Sequence, residues 1–286
     1  MERSIEYLQL LSKSFPSIAA ASTEIINLEA ILNLPKGTEH FVTDIHGEYD
    51  AFDYVLRSAS GVIQQKIEAV FGSDLSDEEK RSLSALISYP EAKMRAVKSE
   101  VSDIDEWYKV SLMQLIAVLT RVSSRYTRSK VRKALPRDYA YIIEELMHET
   151  RGAFLSKHNY VKAIVDTIVS TGRARYFIIA IANVTRSLVI DHLHIIGDIY
   201  DRGPGAHRIM DMLCKYKDYN IQWGNHDLVW MGASAGSAAC VANVLRNSLK
   251  YADMGTLEDG YGISLLPLAT FAMETYADDP CTLFDP

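Results

Sequence analysis

Three short stretches hold side chains whose types and spacing could do chemistry together. The middle one is Ile195-Ile196-Gly197-Asp198-Ile199-Tyr200-Asp201-Arg202-Gly203. Two β-branched residues run into Gly-Asp, which reads as a buried strand ending in an exposed carboxylate. The loop then adds a second Asp, an Arg and a Gly. Open α/β sheets place their ligands where strands end. Upstream, His40-Phe41-Val42-Thr43-Asp44-Ile45-His46-Gly47 repeats the plan with Asp-x-His; downstream, Asn220-Ile221-Gln222-Trp223-Gly224-Asn225-His226-Asp227 ends in Asn-His-Asp.

Three strand ends that offer oxygen and nitrogen ligands are what a two-metal site requires. Two divalent cations about 3.5–4 Å apart can share one carboxylate and clamp the attacking and leaving oxygens of a phosphoryl transfer. Asp198 suits the bridging position. Asp44 and His46, one residue apart on an extended segment, can point to one metal, and Asn225 can give an amide oxygen to the other. His226 is expected beside the leaving-group oxygen as general acid, oriented by Asp201 in a carboxylate–histidine pair. Arg202 offers a fork matched to phosphate oxygens. Taken singly, Asp-x-His-Gly and Gly-Asn-His-Asp are also the makings of polar turns. It is their succession, each after an apolar strand, that argues for metal chemistry.

The elements that must position these residues can be read from periodicity. Residues 1–34 have helical spacing, through Ile5, Leu8, Leu11 and Phe15, with Pro16 interrupting it. Pro35-Lys36-Gly37 breaks the chain before the first motif strand, and Asp50 to Phe71 is again helical. From about 72 to 172 the pattern is helical throughout and predicts four or five helices, one opening in the capping box Ser76-Asp77-Glu78-Glu79 and one closing at Gly172. This reads as an all-helical insertion between the first two motifs. The implied division is 1–71, the first part of an α/β core; 72–172, the insertion; and 173–286, the second and third motif strands. Tyr176 to Ala182 could be a strand on composition, but its length and the Asn183/Arg186 spacing favour a buried helix before a strand at about 189–196. Ala206 to Tyr216 reads as the crossover helix of a β-α-β unit, which sets the second and third motifs at one end of a parallel sheet. Gly232 to Ala239 reads as a helix packed closely through small side chains, and Trp223 as a core residue.

The totals bound the rest. A chain of 286 residues has room for a large buried core, and 48% hydrophobic with 23% charged residues is ordinary for a globular protein. A formal charge of -7 gives no support to a nucleic-acid partner. Cys214, Cys240 and Cys281 are widely spaced and form no CxxC pair, which points to reduced thiols. The first residues lack a signal-peptide pattern, and no apolar run reaches the ~18 residues of a membrane span. A cytoplasmic location without membrane contact is expected.

Asp44-x-His46, Gly197-Asp198-x-x-Asp201-Arg202-Gly203 and Gly224-Asn225-His226-Asp227 together resemble the pattern of the calcineurin-like metallophosphoesterases. The whole chain is similar to the class III, Firmicutes-type fructose-1,6-bisphosphatases. The similarity is carried by Phe41 to Phe52, Asp191-His192-Leu193-His194, the helical insertion, Gly260-Tyr261-Gly262 and Met273-Glu274-Thr275-Tyr276. The resemblance implies an α-β-β-α sandwich, two Mn2+ ions and hydrolysis of the 1-phosphate of fructose 1,6-bisphosphate in gluconeogenesis. It implies Asp44 and His46 on one metal, Asp198 bridging, Asn225 on the other, His226 catalytic and Arg202 on phosphate. It also implies AMP and phosphoenolpyruvate as effectors. Such enzymes supply further metal-binding histidines from Gly-His and Gly-His-x-His loops, whereas no His follows His226 here. The chain therefore resembles the N-terminal portion of that enzyme, with an incomplete sandwich. The alternatives are another hydrolase of the superfamily, acting on phosphoproteins or dinucleoside polyphosphates, or an inactive fragment.

Other features have two readings. His192 and His194 alternate on the strand before the second motif and are expected to be structural. Arg121 to Arg137 has seven basic residues and no acid between them; this is a solvated helix face or an anion site for the substrate's second phosphate or an effector. The state of association, a homo-oligomer included, is left open by the sequence.

Overall fold

The computed structural model describes residues 4–34, 36–149 and 155–280. At its centre lie three short strands, β1 (Glu39–Thr43), β2 (His192–Ile196) and β3 (Tyr219–Gln222), in the order β1-β2-β3. Both pairings are parallel, with Thr43 opposite Ile196 and Ile196 opposite Gln222, so all three motifs leave the sheet at one end. A parallel pair needs a crossover connection. Between β2 and β3 that is α12 (Ala206–Leu213), with apolar residues on one side and Ile209 and Leu213 fully buried.

One sheet face is packed. Leu193 and Ile195 of β2 meet Ile209 and Leu213 of α12 and Phe52 of α3 (Tyr49–Ser58), with Ile45 and Ile199 from the motif loops. The other face is open and carries the alternate positions. There the His194 ring stacks on Phe41 at 4.3 Å, and Nδ1 of His194 lies 3.0 Å from the Asn220 amide oxygen. His192 Nδ1 lies 2.7 Å from an Asp218 carboxylate oxygen. Both histidines thus share one face of the sheet, as their alternation predicts, and each has a polar side-chain partner there.

The remaining described residues are mostly helical. Pro16 does separate two helices, α1 (Ile5–Ser14) and α2 (Ile18–Leu32), whose first turns are capped by Ser4 and Ser17. Neither buries a residue. α4 (Val62–Phe71) leads into six helices where the periodicity predicts four or five. They are α5 (Asp77–Ser88), α6 (Pro90–Glu100), α7 (Ile104–Ser123), α8 (Arg128–Ala134), α9 (Ala140–Glu149) and α10 (Leu155–Ser170). The excess arises at tight joints. Only Tyr89 separates α5 from α6, because Pro90 cannot donate to the preceding turn and instead opens a new helix at its first position. The predicted capping box of Ser76 and Glu79 is present. α10 ends as predicted at Gly172, with φ of 70° or so supplied by a glycine (φ +71) and the Arg173 amide donating back to the Ile168 carbonyl.

The ambiguous stretch is helix α11 (Ala174–Val189), and it packs on α7 in the main apolar core. Leu112, Leu115, Ile116 and Leu119 of α7 meet Phe177, Ile178 and Ile181 of α11 there, joined by Ile63 and Ile67 of α4. Burying each such side chain fully contributes about 1.5–3 kcal/mol, so this helical body is the main source of stability in the described residues.

Three expectations are corrected. Gly232 to Ala239 is not one helix: α13 (Asn225–Ser234) and α14 (Ala238–Lys250) are separated by a turn in which Gly236 has φ +89. The small residues matter for closeness all the same, since a Cβ on Gly232 would lie 2.6 Å from the Cys240 sulfur. Trp223 is not in the core but 60% exposed, because the strand ends one residue before it and turns it out of the sheet. The basic segment is not one helix face. It spans the end of α7, a turn and α8, and two of its cations are committed. Arg125 donates to Thr38 Oγ1 at 2.5 Å and to the Lys36 carbonyl at 2.7 Å, while Lys130 pairs with Asp191.

The fold is a mostly helical α/β structure with a small three-stranded parallel sheet. A final helix, α15 (Leu266–Thr275), follows a loop that lies over α13 and α14. Cys214 and Cys240 are free thiols; Cys281 lies outside the described residues. Among the described residues no helix is long and apolar enough to cross a membrane.

Candidate metal centre

The three strand ends deliver their polar residues to one place because the loops after them are tied to one another. The amides of His46 and Gly47 donate to the carbonyls of Asp198 and Ile199 at 2.7 and 2.9 Å. In return, the Gly203 and Gly205 amides donate to the carbonyls of His46 and Gly47, both at 2.9 Å. Such closeness leaves no room for side chains: a Cβ on Gly47 would lie 2.1 Å from the Gly203 carbonyl oxygen. The third loop is fastened by Asp227, 6% exposed, whose carboxylate accepts from the amides of Ile199, Tyr200 and Gly224. Sequence reasoning gave Asp227 no role. Its position three residues after Gly224, at the start of a helix, was the available signal of a capping carboxylate.

Asp44, His46 and Asp198 each present one ligand atom, and these atoms all lie within 4.8 Å of one another. Thr43 Oγ1 donates to Asp44 Oδ2 at 3.0 Å and steadies it. The two nitrogens of His46 face different acids, Nε2 lying 3.8 Å from Asp44 Oδ1 and Nδ1 lying 3.3 Å from Asp201 Oδ2. One nitrogen is thus toward the ligand cluster and the other beside a carboxylate, the disposition of a metal-binding histidine. Two carboxylates and an imidazole are a donor set suited to a divalent transition metal such as manganese. The residues present therefore fit a metal ion.

Asp201 is the hub on the other rim. It is 7% exposed, and its Oδ2 accepts from Arg202 Nε at 2.9 Å and lies 3.5 Å from His226 Nε2. His226 is also tied to the cluster through its backbone amide, which donates to Asp198 Oδ1 at 3.3 Å. Arg202 leaves its outer guanidinium nitrogens exposed, with the Tyr251 ring 5.8 Å from its central carbon. Asn225 is exposed at the first position of α13, directly after Gly224, which abuts Asp198. The structure brings Asp44, His46, Asp198, Asp201, Arg202 and His226 around one point and places Asn225 beside them. Arg202 and His226, joined through Asp201 to the neighbourhood of the Asp44–His46–Asp198 cluster, are side-chain types that can bind a phosphate ester and move a proton.

Comparison with known proteins agrees with that chemistry. Residues 6–286 match the family model described as Firmicute fructose-1,6-bisphosphatase. A protein of Bacteroides thetaiotaomicron named fructose-1,6-bisphosphatase class 3 is 62% identical over 282 residues, which is 99% of this chain and 42% of the relative. Proteins of the same name from Clostridium novyi and Porphyromonas gingivalis are 59% and 58% identical over 286 residues, covering 43% and 44% of their lengths. The chain thus spans less than half the length of the curated relatives it matches. No solved structure matches it.

Proposed function

We propose, from the premise that this chain belongs to the Firmicute fructose-1,6-bisphosphatase family, that it is the N-terminal portion of a metal-dependent phosphatase that converts fructose 1,6-bisphosphate to fructose 6-phosphate and phosphate. The observation that carries the reading is the Asp44–His46–Asp198 cluster with Asp201 joining His46 to His226 on its rim. Asp44 and His46 would hold one Mn2+ ion, Asp198 would bridge, and Asn225 would hold the second. When bound, such a pair supplies Lewis-acid polarisation of the phosphoryl oxygens and an acidified water as nucleophile.

The chain's own residues do the rest. Arg202, its Nε committed to Asp201, offers its outer N–H groups to the phosphate being transferred. His226 faces Asp201 through Nε2, which leaves Nδ1 as the atom that gives its proton to the sugar oxygen as the P–O bond breaks. Asp201 faces the ring and holds it in that orientation. The rest of the family's length would supply the remaining metal ligands and the second sheet of an α-β-β-α sandwich, against the open face of Phe41 and His194. In the same reading residues 72–172 are an insertion joined to the sheet by α4 and α11, which share its core. The enzyme would act in the cytoplasm on a small sugar bisphosphate, with AMP or phosphoenolpyruvate as effectors, and could form a homo-oligomer.

The test is phosphate release from fructose 1,6-bisphosphate with manganese, within a panel that includes a phosphopeptide and a dinucleoside polyphosphate. Asp198→Asn is expected to abolish turnover, and His226→Ala to lower it by about 10²–10⁴-fold while manganese stays bound. Unchanged turnover in Asp198→Asn would overturn the bridging role. Hydrolysis of the other substrates with fructose 1,6-bisphosphate untouched would assign a different member of the superfamily. Manganese binding without hydrolysis of any substrate would make this chain alone an inactive portion.

A further inference from the structure

Asp201 uses only one of its two oxygens. Oδ2 accepts from Arg202 and lies 3.3 and 3.5 Å from His46 Nδ1 and His226 Nε2, while Oδ1 is buried and has no hydrogen-bond partner among the described residues. An unpaired buried acceptor is costly, so its surroundings call for an explanation. Asp201 lines a cavity of about 20 Å³. A site of ~10–15 Å³ or more holds one water molecule, provided that two to four polar groups surround it. Here they are supplied by Asp201, Asn247, Ser248 and Asp253, with Arg202 and His226 on the outer side.

Asp253 is the unexpected member. It is an acid, 7% exposed, in the loop after α14, and no sequence motif singles it out. The loop is shaped to put it there. Ala252 has φ +54, a left-handed conformation that is strained for a non-glycine residue. The Asp253 amide donates to the Ser248 carbonyl at 2.8 Å, and its carboxyl accepts from Thr256 Oγ1 at 3.1 Å.

We propose that Asp253 is a positioning residue for Asp201, linked to its Oδ1 by a single water molecule held in this cavity. The water donates one hydrogen to Asp201 Oδ1 and the other to the Asp253 carboxyl group. Burial pushes the Asp253 carboxyl up, and the nearby Asp201 charge adds to this, while Thr256 and His207 pull the other way. Oδ2 of Asp201 then stays turned toward His226 and His46. The catalytic consequence rests on the function proposed above; the water link does not.

The test therefore has two arms. A high-resolution crystal structure of the wild-type chain is expected to show a water within hydrogen-bond distance of both Asp201 Oδ1 and the Asp253 carboxyl. A dry cavity, or Asp201 Oδ1 bonded elsewhere, would overturn the proposal even if no activity were found. In kinetics with manganese and fructose 1,6-bisphosphate, Asp253→Asn keeps a polar oxygen for the water and is expected to hold kcat within about twofold. Asp253→Leu removes the polar partner and is expected to lower kcat by about 10-fold or more with KM little changed, the size usual for losing a group that orients a metal-site residue. Equal kcat for Asp253→Leu and wild type, at an unfolding midpoint showing both folded, would also overturn it. If Asp253→Leu does not fold, the crystallographic arm and Asp253→Asn decide.

Discussion

Asp44, His46, Asp198 and Arg202 share a backbone conformation that side chains rarely adopt, with φ of 52, 48, 51 and 58°. Asp and His visit this region more readily than most residues, which is one physical reason for their types here beyond ligation. The strain is tolerable because neighbouring groups leave no alternative. Gly224 shows how little slack exists, since a Cβ there would lie 2.2 Å from Asp198 Oδ1 and 2.5 Å from the Asp198 amide nitrogen. Both are far inside any contact distance, and the nearest atom belongs to the proposed bridging carboxylate. Gly224→Ala is therefore expected to weaken manganese binding by about tenfold or more, the scale of an outer-group lesion at a metal site. Isothermal titration against wild type would check it, and unchanged affinity would show that Asp198 has room to move. At this scale the sequence was informative about ligands, because Asp44, His46 and Asp198 each follow an apolar strand. It was silent about Asp253, whose neighbours Asp201 and Ser248 meet it only through a loop turned by Ala252.

The elements are joined by one polar clamp at the far end of the sheet. There Asp191, just before β2, receives Lys130 Nζ from α8, Tyr126 Oη from the turn after α7 at 2.5 Å, and the Thr38 amide before β1 at 2.7 Å. Burial alone pushes the Asp191 carboxyl up, but Lys130, Tyr126 and Thr38 outweigh it and hold the group below its usual range. For Tyr126, burial and the Asp191 hydrogen bond and charge push the phenol up to about 12. A folded-state value above the unfolded one means that the neutral phenol contributes stability below the unfolded value of about 10, and that this is lost as pH rises toward 12. Tyr126→Phe is expected to cost about 0.5–1.5 kcal/mol at neutral pH. The gap between the two melting curves should close above pH 10, and a constant gap would show that the hydroxyl is not part of the clamp. The basic segment was legible as a run of cations, yet its division was not. Arg125 and Lys130 reach partners near residues 36–38 and at 191, which no local pattern announces. The two joints that the periodicity misread, at Tyr89 and Gly236, fail for a simpler reason: one or two residues suffice to redirect a helix, while the apolar spacing continues on either side.

Across the whole molecule, apolar surface is unevenly spent. The helical body from α4 to α11 closes over a large core, whereas α1 and α2 bury nothing. Leu266, Phe271 and Met273 of α15, Met231 of α13, and Phe41, Ile196 and Trp223 around the sheet are all exposed. A cavity of about 430 Å³ lined by Trp230, Val241, Leu257 and Ile263 opens between α13, α14 and the following loop. Contiguous apolar surface of this kind marks places where a folded chain meets something else. The chain by itself is expected to self-associate as its concentration rises and to bind a hydrophobic dye in its folded state. Sedimentation velocity over a concentration series checks the first; a single species at all concentrations would contradict it. The exposed Trp223 gives a second observable, ready quenching by iodide.

The ties between the motif loops also say something about time. The loop after β1 is bonded to the loop after β2, and between those loops the chain folds into the helical body with a core of its own. Local helical contacts form quickly, while contacts between segments distant along the chain must wait for a long loop to close. The candidate metal-binding geometry is thus expected to form after the helical body. In a pulse-labelling experiment during refolding, the amides of His46, Gly47, Gly203 and Gly205 should become protected together, after those of α7 and α11. A nascent chain could then carry a finished helical scaffold for some time before it could hold an ion at all.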